Sequence, residues 1–430
     1  MYAPDAEAAE PQPDVNAEVS KSTFCQCCCW CGCCPRTTRG RAACCVTLSF
    51  TCTGLVLLLV GIFIGVVGGS AITTLPGEVR ADTGPGRNPA NGIRETWLPG
   101  CGTIGNKTDQ EVDECGGGCY NSTFINQINA FYASSDFKNV TFSSRGGPAG
   151  QGLVDIQAWY IPPANGTTSD PGRAPRIVVC HGTNQNNQKF ESLIAGALLS
   201  SAGYGVVLLS LRDHGASGSS VHKLFSWGWD YQYDVLGTWD FAVNDPESVM
   251  GGALTPDKVG LLGFSMGGFT VVNAFGIEAQ VPGVWADAPV YSVKDILYRE
   301  VQKVVGPLVN LGYEFAWAFA NRVVELHYNH PAAVLPGNEV TRKVYLVHNP
   351  SDTTVPTSQH DKFVETLGES TTPILQGTFV KDSVCNGDTH RILHLEFPME
   401  YRQKMCTFWS ELFGENTTRC SDGSMIPFNR

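Results

Sequence analysis

The longest uncharged stretch of the chain lies close to its N-terminus. Residues 42–77 contain no charged side chain, and within them Val46–Val67 is almost wholly apolar. About 20 such residues, at ~1.5 Å of helical rise each, match the ~30 Å hydrocarbon core of a bilayer. The pattern predicts a transmembrane helix over 46–67. A buried core helix and a cleaved signal peptide, with a cleavage site at Gly69-Ser70-Ala71, are the alternatives.

Beyond this run, short continuous apolar segments alternate with segments of helical period. Strands are predicted at Lys138–Ser143, Val154–Ile161, Arg176–Cys180, Tyr204–Leu211, Lys258–Phe264, Gly283–Ala288 and Lys343–Asn349. Helices are predicted at residues 189–203, 233–243, 267–276 and 399–413. Strands that alternate with helices at this spacing predict an α/β fold with a mostly parallel sheet covered on both faces.

The same pattern divides the chain into segments. Residues 1–45 form a cysteine-rich tail before the transmembrane helix, and residues 76–130, rich in Gly, Pro and Asn, form a stalk or a disulfide-tied N-terminal lobe. Residues 131–430 form the main domain. Within it, the aromatic, helix-prone insert 291–335 is either a lid over the carboxyl edge of the sheet or a set of ordinary packing helices.

Charge gives the orientation of the predicted transmembrane helix. Basic residues precede it at Lys21, Arg36, Arg39 and Arg41, whereas the first one after it, Arg80, lies beside acidic residues. The positive-inside tendency therefore predicts a cytosolic N-terminus and a main domain in the lumen or outside the cell. The net charge of −12, without any basic run, argues against nucleic acid as a partner.

Glycosylation sequons agree with this orientation. All five N-x-S/T acceptors follow the predicted helix, at Asn106, Asn121, Asn139, Asn165 and Asn416.

Seven of the 17 cysteines also follow the predicted helix, and an oxidising compartment favours disulfides among them. Cys180 ends an apolar run and is predicted to be a buried free thiol. The other six allow three bridges whose connectivity the spacing does not reveal.

The cytosolic tail contains the run CQCCCWCGCC, with seven cysteines in ten positions. Disulfides are disfavoured in the reducing cytosol, and a zinc module would need spaced ligand pairs around a small fold. Juxtamembrane cysteines beside basic residues are typical acceptors for S-palmitoylation. The predicted acceptors are Cys25, Cys27, Cys28, Cys29, Cys31, Cys33 and Cys34.

The sequence Gly263-Phe264-Ser265-Met266-Gly267 is a G-x-S-x-G motif that ends an apolar strand and opens a helix. This strand–turn–helix context is what a nucleophile elbow requires, because the flanking glycines permit a strained turn that exposes the serine. Ser265 is therefore the candidate nucleophile.

A serine nucleophile needs a base, which in turn needs an orienting acid. Asp352 directly follows a predicted buried strand and is the favoured acid, with Asp287 as the alternative. His390 follows a polar turn and is the favoured base. His394 lies in a more apolar context typical of packing, and His360 is expected on the solvent face of a helix.

The oxyanion of an acyl-transfer reaction needs backbone donors. The N–H of Met266, which follows the nucleophile, and that of Thr183, in the loop after the third strand, are predicted to supply them. His181 in the same loop is expected to orient it. His327 and His330 have helical spacing, but no third ligand accompanies them, so no metal site and no cofactor is predicted.

Together these motifs resemble the α/β-hydrolase family, specifically its membrane-anchored serine aminopeptidase and prolyl-oligopeptidase-like branch. The resemblance spans about residues 131–413 and rests on HGT, LRDHGASG, GFSMGG, SDTTVP and THRILHLEFPMEY. It implies a sheet of about eight strands with a helical lid insert, and a triad of Ser265, Asp352 and His390. The oxyanion loop departs from the glycine-rich HGGG of many lipases.

The expected activity is hydrolysis of carboxylic esters or thioesters, including lipid-like ones, through an acyl-enzyme. Two alternatives remain open from the sequence. One is a serine peptidase acting on short peptides, and the other is a catalytically silent adhesion or receptor module.

Overall fold

The computed structural model describes residues 51–71 except 52, 56, 57 and 65, together with 92–93, 96–147, 152–183, 186–220, 225–323, 342–368, 375–386, 389–416 and 420. The strands are β1 (Trp97–Leu98), β2 (Gly102–Thr103), β3 (Lys138–Ser143), β4 (Asp155–Ile161), β5 (Arg176–Cys180), β6 (Gly205–Leu209), β7 (Val259–Phe264), β8 (Gly283–Asp287), β9 (Lys343–His348) and β10 (Leu375–Val380). The helices are α1 (Thr53–Ala71), α2 (Asp109–Asp113), α3 (Ser122–Ser134), α4 (Phe190–Ser201), α5 (Tyr231–Asn244), α6 (Met266–Ile277), α7 (Val293–Val305), α8 (Tyr313–Val323), α9 (Thr357–Gly368), α10 (Leu393–Glu396) and α11 (Pro398–Phe413).

An eight-stranded sheet of order β10-β9-β8-β7-β5-β6-β4-β3 organises the described part of the chain. β3 and β4 are antiparallel to their neighbours, and the other strands are parallel. The predicted α/β class with a mostly parallel sheet of about eight strands is thereby confirmed. The seven predicted strands agree with the observed ones to within a residue or two at their ends, whereas β10 at the edge of the sheet was not predicted.

The central strands are apolar on both faces because helices cover both faces of the sheet. Every residue of β5, β6, β7 and β8 is buried. Alternate residues of β5 contribute to opposite cores: Ile177 and Val179 to one, Val178 and Cys180 to the other. A strand that is buried on both faces therefore has a continuous apolar run as its sequence.

The described residues of the predicted N-terminal lobe (76–130) share a hydrophobic core with the sheet, and α3 crosses the predicted boundary at 130/131. Helix α3 contributes Phe124, Ile128 and Tyr132 to the same core as the sheet. Within the described residues there are three disulfides, Cys101–Cys115, Cys119–Cys385 and Cys406–Cys420, and Cys180 is free and buried as predicted.

The predicted insert contains α7, a 3₁₀ segment (Gly306–Leu311) and α8. Residues 324–335, the rest of the predicted insert, lie outside the described residues. The apolar helix α1 has a mean hydropathy of 2.4 and is long enough to cross a membrane. It extends to Ala71, four residues beyond the predicted end, while residues 46–50 and the cysteine run 25–34 lie outside the described residues.

Candidate active site

The sheet has a topological switch point at its centre. β5 pairs in parallel with both β6 and β7, so the loops that leave the carboxyl ends of β5 and β7 diverge to opposite sides. In open α/β sheets such a crevice is where ligands bind. Thr183 follows β5 and Ser265 follows β7, which brings both predicted residues to this crevice.

Ser265 occupies a strained turn between β7 and α6. Its φ of 56° and ψ of −118° lie in a region that L-residues rarely adopt. The turn is possible because its flanking residues lack a Cβ. A Cβ on Gly263 would lie 2.2 Å from Gly267 O, and one on Gly267 would lie 2.4 Å from His181 O. The Ser265 N–H donates to Asp287 O at 2.8 Å, which ties the turn to β8.

The structure brings Ser265, His390 and Asp352 together. His390 Nε2 lies 2.8 Å from Ser265 Oγ, and His390 Nδ1 lies 2.5 Å from Asp352 Oδ2. All three residues are buried or nearly so. Asp352 and His390 come from the loops after β9 and β10, and the adjacent strands place these loops beside the elbow.

Asp352 is held in its ionised form. Its other oxygen, Oδ1, accepts the N–H groups of Thr354 at 2.8 Å and Val355 at 2.9 Å. Burial raises the pKa of this carboxyl, but the neighbouring His390 and the two backbone donors outweigh burial, so its pKa lies below the ordinary value. The loop is therefore built to keep a carboxylate facing His390.

The two alternative residues lie elsewhere. His394 is buried between the rings of Phe190 and Phe264, and neither ring nitrogen has a hydrogen-bond partner among the described residues. Asp287 Oδ2 accepts from Tyr401 Oη at 2.8 Å, and burial raises the pKa of Asp287 to about 7. These contacts are those of a packing histidine and a buried structural carboxyl group.

His181 orients the loop that contains Thr183. Its Nε2 accepts the Leu211 N–H at 3.2 Å, so the ring carries its proton on Nδ1, which donates to Gly182 O at 2.8 Å. Burial lowers the pKa of His181 well below its ordinary value, which keeps the ring neutral. Thr183 and Met266 both face the cavity at Ser265.

His360 is a correction to the sequence-based expectation. It was expected to face solvent, but it is buried and stacks on His348 with ring centroids 5.3 Å apart. The buried face of α9 contains His360, Phe363 and Leu367, which follow the helical period.

A cavity of about 340 Å³ opens beside Ser265. Helix α7 of the insert lines one side of it. The lining residues are Thr183, Trp227, Ser265, Met266, Val290, Val293, Ile296, Leu297, Glu300, Thr354, Val355, His390 and Arg391. Its two charged side chains are already paired: Glu300 with Lys303 at 2.6 Å, and Arg391 with Glu191 at 2.6 Å. The cavity therefore suits an apolar group.

Sequence reasoning missed the pair of Glu191 and Arg391. Arg391 directly follows His390, has a φ of 59°, and its ion pair reaches the first turn of α4. Glu191 is fully buried. Only the position of an arginine next to the candidate base could have indicated this contact.

The other sites considered from the sequence are the glycosylation acceptors and a metal site. The acceptors Asn106, Asn121, Asn139, Asn165 and Asn416 are all exposed. No group of three or more metal-ligating side chains occurs within the described residues. His327 and His330 lie outside them.

Comparison with known proteins agrees with this architecture. Residues 175–365 match the family described as the alpha/beta hydrolase fold. No curated protein matches the sequence.

Among solved structures, the chain is similar to the Pf2001 esterase of Pyrococcus furiosus, with 18% identity, a TM-score of 0.47, and 65% of this chain and 93% of that chain covered. It is also similar to the acylaminoacyl peptidase of Pyrococcus horikoshii, with 16% identity, a TM-score of 0.46, and 65% and 43% covered. A puromycin hydrolase has 16% identity and a TM-score of 0.47, with 67% and 40% covered. Over residues 175–365, the family match and the topology of the sheet show that this part of the chain has an α/β-hydrolase fold.

Proposed function

We propose that this protein is a membrane-anchored serine hydrolase that cleaves carboxylic esters or thioesters. The observation that carries the proposal is the chain of contacts from Ser265 Oγ to His390 Nε2, at 2.8 Å, and from His390 Nδ1 to Asp352, at 2.5 Å. Ser265, at one end of this chain of contacts, lines an apolar cavity large enough for an acyl group.

In the proposed reaction, Ser265 Oγ attacks the carbonyl carbon of the substrate while His390 Nε2 takes its proton. Asp352 holds the imidazole in the required tautomer and stabilises the imidazolium. The N–H groups of Met266 and Thr183 donate to the oxyanion. His390 then protonates the leaving alcohol or thiol, and water, activated by the same histidine, releases the acid from the acyl-enzyme.

The cavity favours esters over peptides as substrates. A peptide substrate presents a charged terminus and several polar amide groups, whereas the two charged side chains that line this cavity already have ionic partners. An acyl chain needs only the apolar lining from α7 and its neighbours. The peptidase alternative predicts efficient cleavage of aminoacyl or peptidyl amides, and a panel of those against nitrophenyl esters separates the two.

A fluorophosphonate probe tests the hydrolase itself, because it labels an activated serine. We expect the folded protein to be labelled and the Ser265→Ala variant to remain unlabelled. Absence of labelling of the wild-type protein, or unchanged labelling of the variant, would favour the catalytically silent adhesion or receptor module.

For the membrane topology, we propose that α1 is a retained single-pass anchor with a cytosolic N-terminus. Exposure of all five acceptor asparagines supports glycosylation of a lumenal or extracellular main domain. Protease protection of sealed microsomes together with peptide N-glycosidase treatment tests the orientation. Release of thioester-linked lipid by hydroxylamine tests palmitoylation of Cys25–Cys34.

A further inference from the structure

The apolar helix α1 packs directly against the described part of the insert (residues 293–323, from α7 to α8), which we take as a lid over the cavity. A Cβ on Gly61 would lie 3.2 Å from Phe315 Cε2, and one on Gly69 would lie 2.6 Å from Phe319 Cδ1. In the other direction, a Cβ on Gly312 would lie 2.2 Å from Ile64 Cγ2. Glycines on both sides thus allow close approach of the two segments. The contact runs from Gly61 to Gly69, which corresponds to ~12 Å of helix length.

Next to this contact, the lid exposes apolar side chains. Val304, at the end of α7, is 85% exposed, and Leu308, in the following 3₁₀ segment, is 64% exposed. Phe315 is 47% exposed although it contacts α1. Through the contact of Phe315 with Gly61, this apolar tip adjoins α1, on which Leu59, Phe63 and Val67 are exposed.

From this continuity we propose that the apolar tip of the lid (Val304, Val305, Leu308 and Phe315) docks onto the leaflet of the lipid bilayer that faces the main domain. The inference rests on the anchor and hydrolase activity proposed above. If α1 spans the membrane, the lid segments packed along its C-terminal half must lie against the half of the bilayer nearest the main domain. A bilayer is therefore the surface that covers the exposed tip.

A surface ion pair limits how deeply the lid can enter the bilayer. Lys294 Nζ lies 2.8 Å from Glu314 Oε2, and Glu314 adjoins Phe315 on α8. Charged side chains are costly in the hydrocarbon core. The lid therefore lies at the boundary of headgroups and acyl chains, ~5–10 Å deep, as interfacial helices do.

The position of the lid at the membrane indicates the class of substrate. Val293, Ile296 and Leu297 on α7 line the cavity, and Val304 on the same helix belongs to the apolar tip. One helix thus joins the catalytic cavity to the membrane surface. The substrate is then an ester of a long-chain fatty acid that reaches Ser265 from the leaflet and not from bulk water.

The test uses the full chain in phosphatidylcholine vesicles that contain 4-methylumbelliferyl oleate, with 4-nitrophenyl butyrate as the soluble ester. We expect Leu308→Asp to lower oleate hydrolysis at least fivefold and to change butyrate hydrolysis by less than twofold. The matched control is Leu153→Asp, because Leu153 is 68% exposed but lies just before β4. Equal effects of Leu308→Asp on the two esters, or no effect on either, would overturn the proposal.

A second measurement does not depend on catalysis. A photo-crosslinking amino acid at position 308 should form adducts with the phospholipid, and the same group at position 153 should not. Adducts with a second copy of the chain, or none, would contradict membrane docking. Failure of fluorophosphonate labelling at Ser265 would instead contradict the proposed hydrolase and leave the lipid adducts as the test of docking.

Discussion

Cys119 and Cys385 form a disulfide that joins the N-terminal lobe to the loop that carries His390. Cys385 lies five residues before His390 in the sequence. The next residue, Asn386, donates its N–H to Gly116 O at 2.7 Å. The described part of the lobe therefore holds the loop of His390 at two adjacent points, although none of its described residues lines the cavity.

Removing this disulfide should impair catalysis as well as stability. For Cys119→Ser with Cys385→Ser we expect at least a tenfold loss of ester hydrolysis, because the loop before His390 loses its attachment. Loss of a bridge that closes so long a loop should also cost about 4 kcal/mol or more of unfolding free energy. Activity and urea denaturation measure the two effects.

The pair Cys406–Cys420 offers a matched control. It closes a loop with a sequence separation of only 14 and lies at the C-terminal end of the domain. Its double serine variant should lose about 3 kcal/mol of stability while the folded fraction stays active. If the two double variants lose activity in proportion to their stability, the lobe does not position His390.

Substitutions of the two candidate histidines should have very different effects on kcat. His390→Ala should lower kcat by ~10²–10⁴-fold, because it removes the proton acceptor of Ser265. His394→Phe should keep activity within twofold, since that side chain already packs among aromatic rings without hydrogen bonds among the described residues. Steady-state kinetics on a nitrophenyl ester test both, and comparable losses in the two variants would contradict the assignment.

His394 should also make the protein sensitive to acid. Burial lowers its pKa from 6.5 to about 3, so between these values the unfolded chain binds a proton that the folded chain does not. The contribution of His394 to stability is therefore lost as pH falls below 6.5, by ~1.4 kcal/mol per pH unit. His394→Phe should be more stable than the wild type at pH 5, as urea denaturation would show, and equally acid-sensitive variants would refute this.

Much of the candidate site follows from local sequence. Ser265 lies in a motif whose glycines, strand and helix are adjacent, and Asp352 directly follows a buried strand. Chain order then leaves few histidines, so His390 could be chosen from one sequence. Ser265 and Asp352 could be chosen because their neighbours in the sequence specify them, and His390 because chain order leaves few alternatives.

Contacts between distant segments were not predictable in this way. Cys119 and Cys385 are 266 positions apart, and Glu191 and Arg391 are 200 apart. No periodicity encodes such pairings. His360 is different, because its helical spacing with Phe363 and Leu367 indicated a buried face. The prediction that His360 faces solvent was wrong because His360 lies on the same face of α9 as Phe363 and Leu367.

Substitutions of the two candidate acids should also have very different effects on kcat. Asp352→Asn should lower kcat by about 10³–10⁴-fold, because the amide cannot hold His390 in the required tautomer. Asp287→Asn should stay active, since its side chain contacts Tyr401 and not His390. A large loss of activity in Asp287→Asn would make Asp287 part of the catalytic machinery.

Asp287 also predicts a pH effect of opposite sign to that of His394. Burial raises its pKa from 3.8 to about 7, so between these values the folded protein holds a proton that the unfolded chain has lost. Its contribution to stability is present below pH 4 and is lost as pH rises to 7. The unfolding free energy of Asp287→Asn, relative to the wild type, should therefore increase from pH 4 to pH 7. A constant difference would contradict the raised pKa.

The ion pair of Arg391 and Glu191 should position His390. Arg391 adopts a φ of 59°, unusual for a residue with a side chain, and its guanidinium lies 2.6 Å from a carboxylate that is fully buried. Removing one partner of a buried pair leaves an uncompensated charge, which typically costs 3–5 kcal/mol. Glu191→Gln should therefore destabilise the protein and lower kcat at least tenfold, as kinetics and urea denaturation would measure.

The double variant Glu191→Gln with Arg391→Gln distinguishes positioning from charge balance. It removes both charges, so we expect stability to return towards that of the wild type. If the pair positions His390, kcat stays low in the double variant and fluorophosphonate labelling of Ser265 stays slow. Full recovery of kcat together with stability would show that the pair only balances charge.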